Sequence, residues 1–215
     1  MIQQNINRIK EELGETTLVA VSKFRTLEEL TNLYDTGQRI FAENRVQELL
    51  SKQNQLPNDI EWHLIGHLQT NKVKMIIGRV SLIHSVDSMK LLKEIQKQSL
   101  KQNLVTKVLL QIHVAQEDSK YGFVPNELVD LFATHSFTPF THVQICGVMS
   151  MATLTQNTNQ IEEEFQKTVD TFHAIKKLIP NSEDFTEISM GMSGDYIIAK
   201  KLGATMVRIG SKIFA

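Results

Sequence analysis

The chain has 215 residues, enough for one large domain or two small ones. Its 41% hydrophobic and 22% charged residues match an ordinary globular protein and exclude a disordered or fibrous one. With 23 basic and 24 acidic side chains the formal charge is −1, so no basic excess is available for a nucleic-acid partner.

The N-terminal stretch to about residue 13 is polar and amphipathic, without the apolar core or cleavage site of a signal peptide. We expect an extra helix there, ahead of the main fold. Residues 18–22 form the first predicted strand. Leu27, Leu30, Leu33 and Tyr34 follow at helical intervals behind Thr26, an N-cap with Glu29 at the capping-box position. Further strands are predicted over 39–42, 62–65 and 80–84, with helices over 46–50, 71–77 and 88–101. The second half repeats the rhythm, with strands over 106–112, 143–148, 185–189 and 205–209. Its helices are predicted over 125–133, opened by Pro125, then over 161–178 and 195–202.

Strands alternating with helices at this spacing imply parallel βα units. Eight units imply a closed (β/α)8 barrel, one domain over 1–215, with an open doubly wound sheet as the competing arrangement. No stretch approaches the ~20 apolar residues that cross a bilayer, so no membrane partner is expected. The single cysteine, Cys146, lies in an apolar strand and reads as a buried small hydrophobe rather than a nucleophile. It allows no disulfide within the chain, which suits a reducing, cytoplasmic setting.

In a parallel barrel the functional site lies at the C-terminal ends of the strands. Here those ends carry Lys23, Glu43-Asn44, Gly66-His67, His84-Ser85, His113, Met149-Ser150, Ser189-Met190-Gly191 and Arg208-Ile209-Gly210-Ser211. Lys23 is placed to direct its amine to the barrel mouth, where partial desolvation and nearby positive charge would favour an imine with a carbonyl compound. A strand-end lysine reaching into solvent is the plainer alternative. The turn from Ser189 to Asp195 exposes backbone N–H groups and hydroxyls to an anion, and Gly210-Ser211 makes a second such turn after strand eight. Two turns after strands seven and eight form the recurrent phosphate cradle of these barrels, although each alone could be a plain glycine turn. Arg208 interrupts an apolar strand and needs an acceptor: an acidic side chain of the fold, a ligand phosphate or a ring nitrogen. His63 and His67 are four apart, but His63 is strand and Gly66 intervenes, so no metal site is expected. No dinucleotide or triphosphate-binding glycine motif is present.

Seven blocks, in order along the chain, resemble the pyridoxal phosphate homeostasis proteins, the YggS/PROSC family. They begin with Val19-Ala20-Val21-Ser22-Lys23, Phe41-Ala42-Glu43-Asn44-Arg45-Val46-Gln47-Glu48 and the run from Trp62 through His67 to Lys72. Ile83-His84-Ser85-Val86-Asp87, Gly147-Val148-Met149, Ser189-Met190-Gly191-Met192-Ser193 and Val207-Arg208-Ile209-Gly210 complete the set. The resemblance implies a barrel of the alanine racemase N-terminal type, fold type III of the pyridoxal phosphate proteins, with the cofactor held as a Schiff base on Lys23. It further implies that Asn44 lies beside the ring and Arg208 approaches the pyridine nitrogen. Ser189, Ser193, Gly210 and Ser211 would surround the phosphate, and His63 and Met190 would line the pocket. A guanidinium at the ring nitrogen disfavours its protonation and makes the ring a poorer electron sink. After strand five the family carries asparagine where this chain has His113, which leaves that rim position without an assigned role.

What the resemblance implies is intracellular cofactor homeostasis: storage, buffering or delivery of pyridoxal 5′-phosphate, with apo-enzymes as recipients, by a monomer. Related racemases add a tyrosine from a second β-domain for which this chain leaves no room after strand eight, so efficient racemisation is not expected. A slow amino-acid racemase is the alternative, and a regulatory partner protein a third reading. Lys72 and Lys120 are candidate amines for passing the cofactor on, against the plainer reading of both as solvated charges.

Overall fold

A strand buried on both faces reads as a continuous apolar run rather than an alternation, and the strands of this chain are of that kind. The computed structural model describes residues 1–116, 121–134, 137, 140–179 and 182–215. Its first four strands are β1 (Thr17–Val21), β2 (Ile40–Glu43), β3 (Glu61–Leu64) and β4 (Leu82–Val86). They continue with β5 (Thr106–Gln111), β6 (Val143–Met149), β7 (Glu187–Ser189) and β8 (Met206–Ile209). All pair in parallel and in sequence order to form a closed barrel, sealed by β8 against β1 in the register Thr17↔Met206 to Ala20↔Ile209. Closure overturns the open-sheet alternative.

The helices are α1 (Ile2–Leu13), α2 (Leu27–Asp35), α3 (Val46–Gln53), α4 (Val73–Ile76), α5 (Met89–Gln102), α6 (Pro125–Ala133), α7 (Thr158–Lys176), α8 (Tyr196–Lys201) and α9 (Ser211–Phe214). Their starts follow local chemistry. Thr26 accepts the Glu29 N–H while the Glu29 carboxylate accepts the Thr26 N–H, the capping box expected from the sequence. Ser88 and Asn157 cap α5 and α7 more simply, each side-chain oxygen accepting one N–H, from Leu91 and from Gln160, a contribution of about 1 kcal/mol apiece. The helix after β8 is only four residues long, and α1 covers the adjoining part of the barrel. Ile6, Ile9 and Leu13 are buried there, and Asn5 Nδ2 donates to the carbonyls of Ile213 and Ala215.

Several elements depart from expectation: β7 begins at Glu187 rather than at residue 185, and α3 runs on to Gln53. The strand predicted over 80–84 runs from Leu82 to Val86, because the ladder with β3 begins only where Ser81 N–H reaches the Trp62 carbonyl. His84 therefore sits inside the barrel, fully buried, and not at its rim. The helix predicted over 71–77 divides into a 3-10 turn at Thr70–Lys72 and the single turn of α4, after which Ile77 adopts an extended conformation.

The barrel lumen has two kinds of filling. Leu82, Leu109, Cys146 and Met149 form a small apolar cluster separate from the main core between barrel and helices. Beside it runs a polar chain contributed by β3, β4, β7 and β8. Since β4 and β7 are not neighbours in the sheet, the bond between His84 and Ser189 crosses the lumen.

Candidate functional site

The chain leaves β1 through the turn Ser22-Lys23-Phe24-Arg25, closed by the Arg25 N–H on the Ser22 carbonyl at 3.1 Å. Lys23 is exposed and lines a cavity of about 390 Å³ at the C-terminal end of the barrel. Asn44 joins it from the loop after β2, and Ser193, Arg208, Gly210 and Ser211 from β8 and the turns after β7 and β8. Those two turns meet directly, the Gly210 N–H donating to Ser193 Oγ at 3.4 Å. The opposite wall is the apolar segment from Met151 to Thr155 with Ile161 of α7. Buried Glu164 fixes that wall, its carboxylate accepting the Thr153 N–H and hydroxyl at 2.6 and 2.7 Å.

Two glycines shape the mouth. A Cβ at Gly66 would lie 2.2 Å from the Asn44 carbonyl oxygen, so only a bare backbone lets the β3 loop pack against the residue that presents Asn44. At Gly194, which lines the cavity, a Cβ would meet nothing within 4 Å. No neighbour among the described residues requires glycine there, and its absent side chain leaves space facing the cavity.

Arg208 is buried, yet no carboxylate among the described residues lies within ion-pair distance of it. Its Nη1 donates to the carbonyl and hydroxyl oxygens of Ser189 at 2.8 and 2.7 Å, and Nη2 to the Ser150 carbonyl at 2.8 Å. Ser150 is itself buttressed by the Thr168 hydroxyl at 2.8 Å. Burial draws the guanidinium down to about 10, opposed weakly by Asp195. Of the acceptors weighed from sequence, an acidic side chain of the fold is thus not the one in contact.

Behind Arg208 the polar chain continues. Ser189 Oγ lies 3.0 Å from His84 Nδ1, and His84 Nε2 lies 2.9 Å from His63 Nδ1. Desolvation pushes His63 down to about 4 and His84 well below the usual imidazole range, so both rings are neutral near pH 7. His63 lines a second cavity, of about 320 Å³, at the other end of the barrel with Glu61, Lys107, Cys146 and Glu187. The Cys146 thiol is pushed up to about 11 by burial, consistent with the inert role expected of it.

Of the nine predicted site residues, six line the mouth cavity: Lys23, Asn44, Ser193, Arg208, Gly210 and Ser211. Ser189, His63 and Met190 do not, and the reason is the strand period. Ser189 faces the lumen one layer below the mouth and reaches the cavity only through Arg208, and His63 stands further back through His84. Met190, next to Ser189 and so on the opposite face, is buried in the core between barrel and helices. His67 turns away from His63 to Asp87, at 2.9 Å. Lys72 is half-buried outside the mouth lining, and Lys120 lies outside the described residues.

Sequence reasoning assigned no role to Asp195, which also lines the cavity. Its Oδ1 accepts the Met192 N–H at 2.5 Å, and burial raises its carboxyl above the usual range. It also missed a buried ionic cluster beneath Lys23. Lys52 Nζ bonds Glu43 Oε1 at 2.6 Å and Glu48 Oε1 at 2.9 Å. The signal was present, because Lys52 shares the inward face of α3 with Val46 and Leu49.

A family model described as alanine racemase, N-terminal domain, matches residues 1–215. A protein of Aquifex aeolicus named pyridoxal phosphate homeostasis protein is 38% identical over 198 residues, covering 92% of this chain and 85% of that one. Among solved structures, PipY of Synechococcus elongatus PCC7942 is 30% identical and covers all of both chains, with TM-scores of 0.92 without PLP and 0.90 with PLP bound. Alanine racemase from Bartonella henselae, with covalently bound pyridoxal phosphate, is 17% identical with a TM-score of 0.75. It covers 99% of this chain and 58% of that one, and shares the fold.

Proposed function

Because this chain belongs to the pyridoxal phosphate homeostasis family, we propose that it binds pyridoxal 5′-phosphate at the barrel mouth, as a Schiff base on Lys23. In this reading it stores, buffers or delivers the cofactor, acting as a monomer in the cytoplasm with apo-enzymes as recipients. The observation that carries the reading is the meeting, in one cavity, of the Lys23 amine with the two Gly/Ser turns after β7 and β8.

The cavity suits the group on its own terms. Its volume, about 390 Å³, lies in the range of small-ligand pockets. Among the described residues, space is left at Gly194 where no atom requires it, and Arg208 presents a buried cation without a carboxylate within ion-pair distance. When bound, pyridoxal 5′-phosphate supplies an aldehyde for primary amines and a ring that withdraws electrons. Lys23 would hold the aldehyde carbon, Asn44 would flank the ring, and Arg208 would face the ring nitrogen. Ser193, Gly210 and Ser211 would hold the phosphate with hydroxyl and backbone N–H donors. Ser189, His84 and His63 keep Arg208 oriented from behind.

The lining also supports a binding rather than a catalytic role. Its ionisable side chains among the described residues are Lys23, Asp195 and Arg208, and the Asp195 carboxylate is engaged with the Met192 N–H. A two-base racemisation needs a second proton carrier facing Lys23.

The test is an absorbance spectrum of the purified protein with added pyridoxal 5′-phosphate, before and after borohydride reduction, with mass mapping of the labelled lysine. A visible band trapped on Lys23 and lost in Lys23→Ala is the expected result. Label on another lysine overturns the assignment. Steady exchange of an amino-acid α-hydrogen in deuterated buffer, dependent on Lys23, would promote the slow racemase instead.

A further inference from the structure

The turn that carries Lys23 is gripped on both sides by α3. Lys52 Nζ donates to the Ser22 carbonyl at 2.7 Å, the peptide just before Lys23. Glu48 Oε1 accepts the Phe24 N–H at 3.0 Å, the peptide just after it. These two side chains stand one helical turn apart and bond each other at 2.9 Å. Lys52 is anchored below by Glu43 Oε1, which also accepts the Ser22 hydroxyl at 2.6 Å. Lys52 is 7% exposed and Glu43 fully buried.

Stability alone does not account for this arrangement. Burying an ammonium and a carboxylate carries a desolvation cost that apolar residues of similar volume avoid. The turn they hold is itself strained: Phe24 has φ +63°, a left-handed conformation that favours glycine, and the residue is 76% exposed. A residue so exposed contributes little packing to offset that strain, so the shape persists because the groups around it impose it.

We infer that Lys52 and Glu48 are positioning residues for Lys23, clamping the peptides on either side of it so that its amine stays directed into the mouth cavity. The inference rests on the reading that Lys23 carries the cofactor. Neither side chain lines the cavity, so each acts through the backbone of residues 22–24.

The test compares the full wild-type chain with Glu48→Ala, Glu48→Gln and Lys52→Met. Three quantities are read: the release rate of bound pyridoxal 5′-phosphate, the visible circular dichroism per bound cofactor, and acetic-anhydride labelling of Lys23 relative to Lys72 in cofactor-free protein. Glu48→Ala and Lys52→Met are expected to release the cofactor at least ~10-fold faster, with the visible dichroism reduced by more than half. Labelling of Lys23 should move toward that of Lys72. Glu48→Gln is expected to retain wild-type values, since its amide oxygen can accept the same N–H.

The inference is overturned if Glu48→Ala matches wild type on all three readings, or if Glu48→Gln fails as badly as Glu48→Ala. Should Lys52→Met not fold, Glu48→Ala decides alone, because Glu48 is partly exposed and its loss leaves Lys52 paired with Glu43. A wild-type chain that forms no visible band refutes the Lys23 reading instead. The labelling ratio then still shows whether the clamp governs the amine.

Discussion

Arg208 Nη1 donates to both the hydroxyl and the carbonyl oxygen of Ser189, at 2.7 and 2.8 Å, across the seam between β8 and β7. The guanidinium is thereby tied to the barrel wall by neutral acceptors, while its charge has no ion-pair partner among the described residues. On the proposed reading, the acceptor that meets this charge is brought by the ligand.

Replacing Arg208 by methionine separates folding from binding. Removing one half of a buried ion pair costs roughly 3–5 kcal/mol because the other charge is stranded, but no carboxylate is stranded here. Three hydrogen bonds are lost and a desolvation penalty is relieved, so Arg208→Met should cost about 2 kcal/mol or less in the free protein. A ligand at a hundredfold excess over its dissociation constant stabilises a fold by about 2.7 kcal/mol. Urea unfolding with and without pyridoxal 5′-phosphate should show that gain in wild type and less than half of it in the variant.

The lumenal histidines predict an acid limb to stability. The His63 pKa is lowered from its ordinary 6.5 to about 4 by desolvation, and burial lowers His84 in the same sense. Below about pH 6.5 the unfolded chain takes up a proton that the folded chain refuses, so stability falls as the pH drops. For His63 the fall continues to about pH 4, where the folded ring protonates, and amounts to something on the order of 3 kcal/mol. Glu43, raised chiefly by desolvation, works in the opposite sense, so the histidine share must be read as a difference. Between pH 6.5 and 4 the unfolding free energy of His63→Gln should decline less steeply than that of wild type. Parallel profiles would refute the assignment.

Gly66→Ala tests the close approach of the β2 and β3 loops. The new methyl would sit 2.2 Å from the Asn44 carbonyl oxygen and 2.7 Å from its Cα, and backbone cannot swing aside as a side chain can. Overpacking of this kind typically costs about 1–3 kcal/mol. Because the displaced residue is Asn44, weaker cofactor binding should accompany a lower Tm, measured by thermal unfolding and titration on the same preparation.

Much of the barrel could be read from the chain because its strands are buried on both faces, so apolar runs mark them without any knowledge of pairing. Thr26 with Glu29, and Pro125 at the start of α6, carried enough local chemistry to place helix starts correctly. β4 begins two residues later than its apolar run suggests, because Val80 is β-branched and apolar but lies in the connection before the strand, a distinction that depends on the ladder with β3. At the site, Lys23 and the turns after β7 and β8 were legible because barrel geometry ties position in a βα unit to the mouth. The chain Arg208–Ser189–His84–His63 was not legible. It joins four strands, two of them not adjacent, and nothing local in a sequence records a bond across a lumen.

The Glu43–Lys52 pair allows a sharper test by non-additivity. Glu43 Oε1 is held by Lys52 and Ser22, whereas Oε2 is buried with no hydrogen-bond partner among the described residues. Burial accordingly raises the Glu43 carboxyl, with Lys52 and Ser22 only partly offsetting it. Lys52→Met strands that carboxylate and should cost about 3–5 kcal/mol, the amount expected when one partner of a buried pair is removed. Glu43→Gln leaves Lys52 bonded to Glu48 and to the Ser22 carbonyl, and supplies an amide that can still meet Lys52, so its cost should be smaller, near 1–2 kcal/mol. The double variant Glu43→Gln/Lys52→Met removes both charges and should be more stable than Lys52→Met alone. Chemical denaturation of the four proteins closes the cycle; strict additivity would mean that the two groups do not share the electrostatic load assigned to them.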